Sequence, residues 1–236
     1  MAVLEMTGTL NRSSNPSAYE WKTDDGVEVA ISARQVKVRW PGVDDQPDNW
    51  ARMRTLIEAP LLASVLSSAH PATVVWTQRV VEDGEWRRVV AGLPLDAVLD
   101  APLPRLDQPT PELNALDASL PLVVATELFS EGLDEMQADN LLAAMRSFYL
   151  AAEAVVDAIR GASFEEDWVE AARQLGVGPE KGRQLYLSLQ IARHINASHA
   201  ERKLIGLGLK RLSAPYCRGL THTLLRAYGQ SLIHLD

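Results

Sequence analysis

Arg193, His194, Asn196 and His199 fall within one seven-residue stretch of a chain that holds only 5 histidines. A guanidinium is permanently charged, whereas an imidazole gains and loses a proton near neutrality. On an uninterrupted helix, positions 193, 196 and 199 step back by ~60° at each move and so fan over about a third of the surface, pointing Arg, Asn and His to a common side. This combination suits cleavage of RNA without a metal. One group neutralises the charge that builds on the phosphorane, the other moves protons, and the 2'-hydroxyl of the sugar is the nucleophile. Arg193 and His199 are the expected catalytic pair. His194 and Asn196 are expected to orient the substrate, and Arg202 and Lys203 to extend the phosphate-binding charge. Plainer roles stand beside these: a surface salt bridge for Arg193, and for His199 a helix-end position favoured by the C-terminal dipole.

Other chemistries lack their residues. His70, His194, His199, His222 and His234 show no i,i+4 pair, no HExxH and no Glu-x-x-His, so no metal ligand set is visible. GxGxxG, Walker-loop and GxSxG patterns are absent, which argues against hydride transfer, P-loop phosphoryl transfer and α/β-hydrolase chemistry. No cofactor or metal is expected. The single cysteine, Cys217, can form no intramolecular disulfide, which suits a reducing compartment. Without a signal-like start or a long apolar run, no membrane partner is expected and the cytoplasm is the expected location.

The net charge of -8 is unevenly spread. Residues 1 to 139 carry 11 Lys+Arg against 22 Asp+Glu, while Arg173 to Arg226 carry 10 against 2. That basic segment is a natural surface for a polyanion such as RNA, or else a face that packs against the acidic front of the same chain.

The elements that must position these groups divide into two parts. In residues 1–100, strands are expected at Tyr19–Thr23 and Val27–Ser32 around Asp24-Asp25-Gly26, then through Val36, Val38 and Trp40 to Pro41-Gly42. A helix follows over Asn49–Ser68, which Pro60 should kink or divide. A second hairpin joins Thr73–Val81 to Trp86–Leu93 around Asp83-Gly84. The expected order is β-β-β-α-β-β, an acidic α+β domain able to bind a regulatory partner or ligand, with Trp21, Trp40, Trp76 and Trp86 filling its core.

Residues 101–121 are rich in proline and read as a stiff linker. Residues 122–236 then read as a helical domain, with helices at Gln137–Arg160, Phe164–Leu175, Pro179–Lys203 and Ala214–His234. Ser163 with Glu166 forms a capping-box pattern, and Gly161, Gly176 and Gly206 stand where helices should end. Four helices with short loops imply an antiparallel bundle. The fold class is α+β, a mixed front domain with an antiparallel sheet followed by this bundle.

The rear part resembles the HEPN superfamily, whose helical domains carry Arg, four to six residues, then His, commonly with a polar residue straight after the Arg. Here the motif is Arg193-His194-Ile195-Asn196-Ala197-Ser198-His199. The stretch from Leu141 to Ala154 is similar to the first long helix of the family, and the resemblance covers roughly residues 137–236. It implies a metal-independent endoribonuclease leaving cyclic phosphate ends, an active site completed by two facing protomers of a homodimer, and a toxin, stress or antiviral setting. It equally admits a non-catalytic dimerising or nucleotide-binding module. Ala200 stands where a glycine often follows the motif histidine. Glu153 is a candidate support for the motif arginine, and Tyr186, Tyr216 and Tyr228 are candidate base-stacking residues whose plainer role is in the core.

Overall fold

A computed structural model describes residues 2–14, 18–68, 70, 73–83, 86–91, 99–103, 105–162, 164–194 and 200–233, with no side-chain description at 12–14, 86–87, 90–91, 99–103, 188–194 and 200–213. The chain is α+β and separates into two compact units, one comprising residues 1–64 and 72–109, the other residues 65–71 and 110–236. No described helix is long and apolar enough to cross a membrane.

The first unit is a six-stranded antiparallel sheet with one helix laid on it. Strands β1 (Val3–Leu10), β3 (Tyr19–Lys22), β4 (Glu28–Ser32), β5 (Gln35–Pro41), β6 (Val74–Asp83) and β7 (Trp86–Ala91) are ordered β3-β4-β5-β1-β6-β7. Short β2 (Arg12–Ser14) pairs in parallel with β8 (Leu99–Leu103). Strand β1, absent from the sequence-based expectation, is central. Its alternating Leu4, Met6 and Leu10 are buried together with Val29, Ile31, Val36 and Val38. Helix α1 (Pro47–Ser68) covers this face with Trp50, Met53, Ile57 and Leu61. Pro60 does not divide it. The lost backbone hydrogen bond is outweighed by apolar positions buried on both sides, Ile57 and Leu61 nearest.

Gly8 sits where the β1–β6 register shifts, and a Cβ there would lie 2.8 Å from a Val74 methyl and 3.0 Å from the Trp76 ring. The space it leaves lets Trp76 donate from its indole N–H to Glu58 of α1 at 2.9 Å. Trp21, Trp40 and Trp76 are half-buried against this core, while the Trp86 side chain lies outside the description. The opposite face of the sheet is zipped by ion pairs, Lys22 and Arg39 each 3.2 Å from Glu28 and Lys37 2.9 Å from Glu5.

The second unit contains α2 (Pro111–Ala118), α3 (Leu120–Gln137), α4 (Leu141–Arg160), α5 (Glu165–Gln174), α6 (Pro179–His194) and α7 (Ala200–Ile233), with the last turn of α1. Two of these helices start inside the expected linker, because its prolines serve as helix openers. Thr110 accepts from the Leu113 N–H ahead of Pro111, and Ser119 accepts from the Leu122 N–H beside Pro121. Gly161 ends α4 as expected. Gly176, at φ 68, ends α5 with its own N–H bonded to Arg173 O and the Val177 N–H bonded to Ala172 O, a Schellman closure. Gly206 ends nothing; it lies within α7, which continues through Pro215. Ser163 lies outside the described residues, and the start of α5 is bound instead by the Phe164 N–H donating to the Asp167 carboxylate at 2.9 Å.

Close packing fixes the helices of this unit. Phe129 of α3 meets Phe148 of α4 at 5.2 Å between ring centroids, and a Cβ on Gly132 would lie 2.6 Å from the Phe148 ring. Helix α7 enters this core from Ala214 onward, burying Cys217, Leu220, Leu224 and Leu225, while Thr221 donates to Phe148 O at 3.2 Å.

Candidate functional site

Helix α6 is held tightly over its first two turns. Gly182 lies so near α5 that a Cβ would stand 2.2 Å from the Trp168 carbonyl oxygen. Leu185 is buried, Tyr186 meets the Trp168 ring at 6.2 Å, and Arg183 reaches Glu165 at 2.9 Å. From this clamp, two further turns (~10.5 Å) carry the backbone from Tyr186 to Arg193 on the same face. Arg193 and His194 thus occupy the final turn of α6.

Asn196 and His199 lie outside the described residues, and Arg202 and Lys203 reappear in the first turn of α7 with their side chains undescribed. Of the expected helix from Pro179 to Lys203, residues 179–194 lie in α6 and residues 200–203 in α7, and residues 195–199 lie outside the described residues. The fan drawn for 193, 196 and 199 on one continuous helix is not an observed geometry. The described backbone is helical up to Arg193 and His194 and again at Arg202 and Lys203.

The supporting residues are engaged in structural contacts. The Tyr149 hydroxyl donates to Glu153, and the Tyr149 ring stacks on Trp168 at 5.6 Å. Glu153 is thus tied within its own helix. Tyr216 donates to Gln184 at 2.5 Å, and Tyr228 lies 3.4 Å from the Ser119 hydroxyl. These two phenols, with Tyr186 against Trp168, join helices.

A charged groove of about 350 Å³ was not anticipated from sequence. Arg160 from the end of α4, Glu165, Glu170 and Arg173 from α5, and Arg183 from α6 line it. Glu170 bridges Arg160, at 3.4 Å, and Arg173, while Arg183 is shared by Glu165 and Glu180. Each of these guanidiniums has a carboxylate, so the groove orients α4, α5 and α6 rather than presenting spare charge. Its residues come from three helices, and only tertiary packing brings them together. A second groove, about 490 Å³, lies on the open face of the sheet among Glu20, Lys22, Glu28, Lys37 and Arg39, again with charges matched across strands.

Comparison with known proteins returns no matching family model, no matching curated protein and no matching solved structure.

Proposed function

We propose that this chain is a metal-independent endoribonuclease of the HEPN type, acting as a homodimer through its helical unit in the cytoplasm, in a toxin, stress or antiviral role. The observation that carries the reading is the position of the motif in the backbone. Arg193 lies on α6, the helix held at Gly182 against Trp168, and Arg202 and Lys203 lie on α7, all within the one strongly basic stretch of the chain. In this reading Arg193 holds and stabilises the scissile phosphate, His199 acts as general acid or base, and His194 and Asn196 orient the substrate. The front unit serves as sensor or regulator.

The test is direct. Purified chain with end-labelled single-stranded RNA in EDTA is expected to give products ending in 2',3'-cyclic phosphate, and Arg193→Ala or His199→Ala to abolish them. Equal silence of wild type and both variants on several RNAs would replace this reading with that of a non-catalytic interaction module.

A further inference from the structure

Helix α3 carries its acidic residues where helix physics disfavours them. A helix C-terminus is the negative end of the backbone dipole and is stabilised by cations, yet the last two turns of α3 hold Glu131, Asp134 and Glu135 and no basic residue. Glu127 and Glu131, and again Glu131 and Glu135, stand four apart, and Glu131 and Asp134 three apart, spacings at which like charges repel. Residues 111–140 contain seven Asp and Glu and no Lys or Arg, so no neighbour in sequence offsets them. Tertiary packing does not offset them either. Among the described residues no ion pair reaches Glu127, Glu131 or Asp134, whereas Glu165 and Glu170 of α5 are each paired with an arginine. The Asp134 carboxyl is held above its ordinary range, first by partial desolvation and then by Glu131 and Glu135. A local conflict that the fold leaves unrelieved marks residues kept for something other than stability.

The same face of α3 carries exposed apolar side chains. Leu120, Val124, Glu127, Glu131 and Asp134 recur at alternating spacings of four and three and form one stripe ~21 Å long. All five are exposed, Leu120 at 74 % and Val124 at 40 %. Leu122, Ala125, Phe129 and Leu133 fill the core from the opposite face, so Leu120 and Val124 contribute nothing to it. The stripe is thus apolar at its start and uniformly negative toward its end.

We propose that this stripe is the docking surface for a basic amphipathic helix of a different protein, which sets aliphatic residues against Leu120 and Val124 and Lys or Arg residues, three and four apart, against Glu127, Glu131 and Asp134. The sign of the charge selects this class of partner. Nucleic acid and an anionic membrane surface are both repelled by the carboxylates, and among the described residues no cluster of His, Cys, Asp or Glu is placed to hold a metal ion. A basic helix supplies the cations that the C-terminus of α3 lacks and covers its apolar start in one contact, with anchors at the spacing of helix-against-helix recognition. The stripe and the motif residues lie on different helices, and the inference stands whether or not the chain cleaves RNA.

Fluorescence anisotropy of the full chain with a labelled peptide tests it, the probe being an amphipathic helix of about 15 leucine and lysine residues, matched to the stripe in length. Wild type is expected to bind it with an affinity that falls as salt is added. Glu127→Lys, Glu131→Lys and Asp134→Lys together should weaken binding by about tenfold or more, whereas Glu20→Lys, Asp24→Lys and Asp44→Lys, the same change of charge on the first unit, should leave it within about threefold. Leu120→Gln with Val124→Gln should weaken it several-fold, and a peptide of the same composition in non-amphipathic order should bind wild type less tightly than the ordered one. Reversing the stripe also removes the conflict with the helix dipole, so that variant should melt no lower than wild type, which separates lost binding from lost folding. No binding by wild type, equal binding by all variants, or a larger loss from the reversal on the first unit would overturn the proposal. So would sedimentation in which the stripe reversal dissociates a dimer of the chain, since a second copy would then be the occupant.

Discussion

The Nε2 atom of His222 lies 2.7 Å from the carbonyl oxygen of Leu66, and the ring stacks on Phe129 at 5.7 Å. Helix α1 ends without a basic residue in its last turn. An imidazole from α7 thus donates to a carbonyl of the last turn of α1, and that turn is part of the helical unit.

This contact makes stability depend on pH in a definite direction. Burial pushes the His222 pKa below its ordinary value; the hydrogen bond to Leu66 opposes the shift, and Arg226 and Arg218 add to it. The unfolded chain then binds a proton more readily than the folded one. The stabilisation is complete above the unfolded histidine value of about 6.5 and is lost as pH falls from there toward the depressed folded value. Thermal melts between neutral and mildly acidic pH should show a decline in Tm that is flatter in His222→Gln. Parallel declines in both proteins would remove His222 as its source.

Asp134 should behave in the opposite sense. Its carboxyl is raised by desolvation and by Glu131 and Glu135, so its ionised form opposes folding at neutral pH, and the penalty fades as pH falls through its raised value. Asp134→Asn is expected to stabilise the chain at neutral pH by about 0.2–0.5 kcal/mol, the size of a like-charge pair one turn apart on a helix. Urea titration of the two proteins measures it, and no gain at neutral pH would contradict it.

Gly182 is the tightest point of the α5–α6 contact. A Cβ there would meet the Trp168 carbonyl, which is backbone and cannot swing aside. Gly182→Ala should destabilise by about 2–3 kcal/mol despite the better helix propensity of alanine. If RNA cleavage is observed, the same substitution should depress it where the variant remains folded, because α6 carries Arg193. A variant as stable as wild type in urea would show that the two helices can part at little cost.

Thr110 and Ser119 tie down the starts of α2 and α3. Thr110→Ala should cost about 1 kcal/mol, and Thr110→Gly only a few tenths. Ser119→Ala should cost at least as much as Thr110→Ala, because Ser119 is buried and also lies against the Tyr228 hydroxyl. Chemical denaturation distinguishes these losses, and equal effects of Ala and Gly at position 110 would count against a cap.

Local chemistry made much of the chain legible. Asp24-Asp25-Gly26 marked the β3–β4 hairpin, the alternation of Val36 and Val38 marked β5, and Gly161 and Gly176 marked helix ends, since each depends on a few neighbouring residues. Strand β1 carried the same alternation in Leu4, Met6 and Leu10, but Gly8 interrupts it, and that glycine makes sense only beside Val74 and Trp76. The prolines at 111 and 121 read as linker because a proline alone does not say whether a capped helix follows it; Thr110 and Ser119 decide that.

The candidate site divides along the same line. Composition and spacing by themselves determined that Arg193, His199, Arg202 and Lys203 belong to the one strongly basic stretch of an acidic chain. Only the tertiary structure decided that α6, which carries Arg193, is held at Gly182 against Trp168, and that Glu153 is held by Tyr149. The physical reason is range. Helix caps, turns and charge runs are set by residues a few positions apart, whereas α6 and α7 are held by Trp168, Phe148 and the carbonyl of Leu66, which the fold brings from far along the chain.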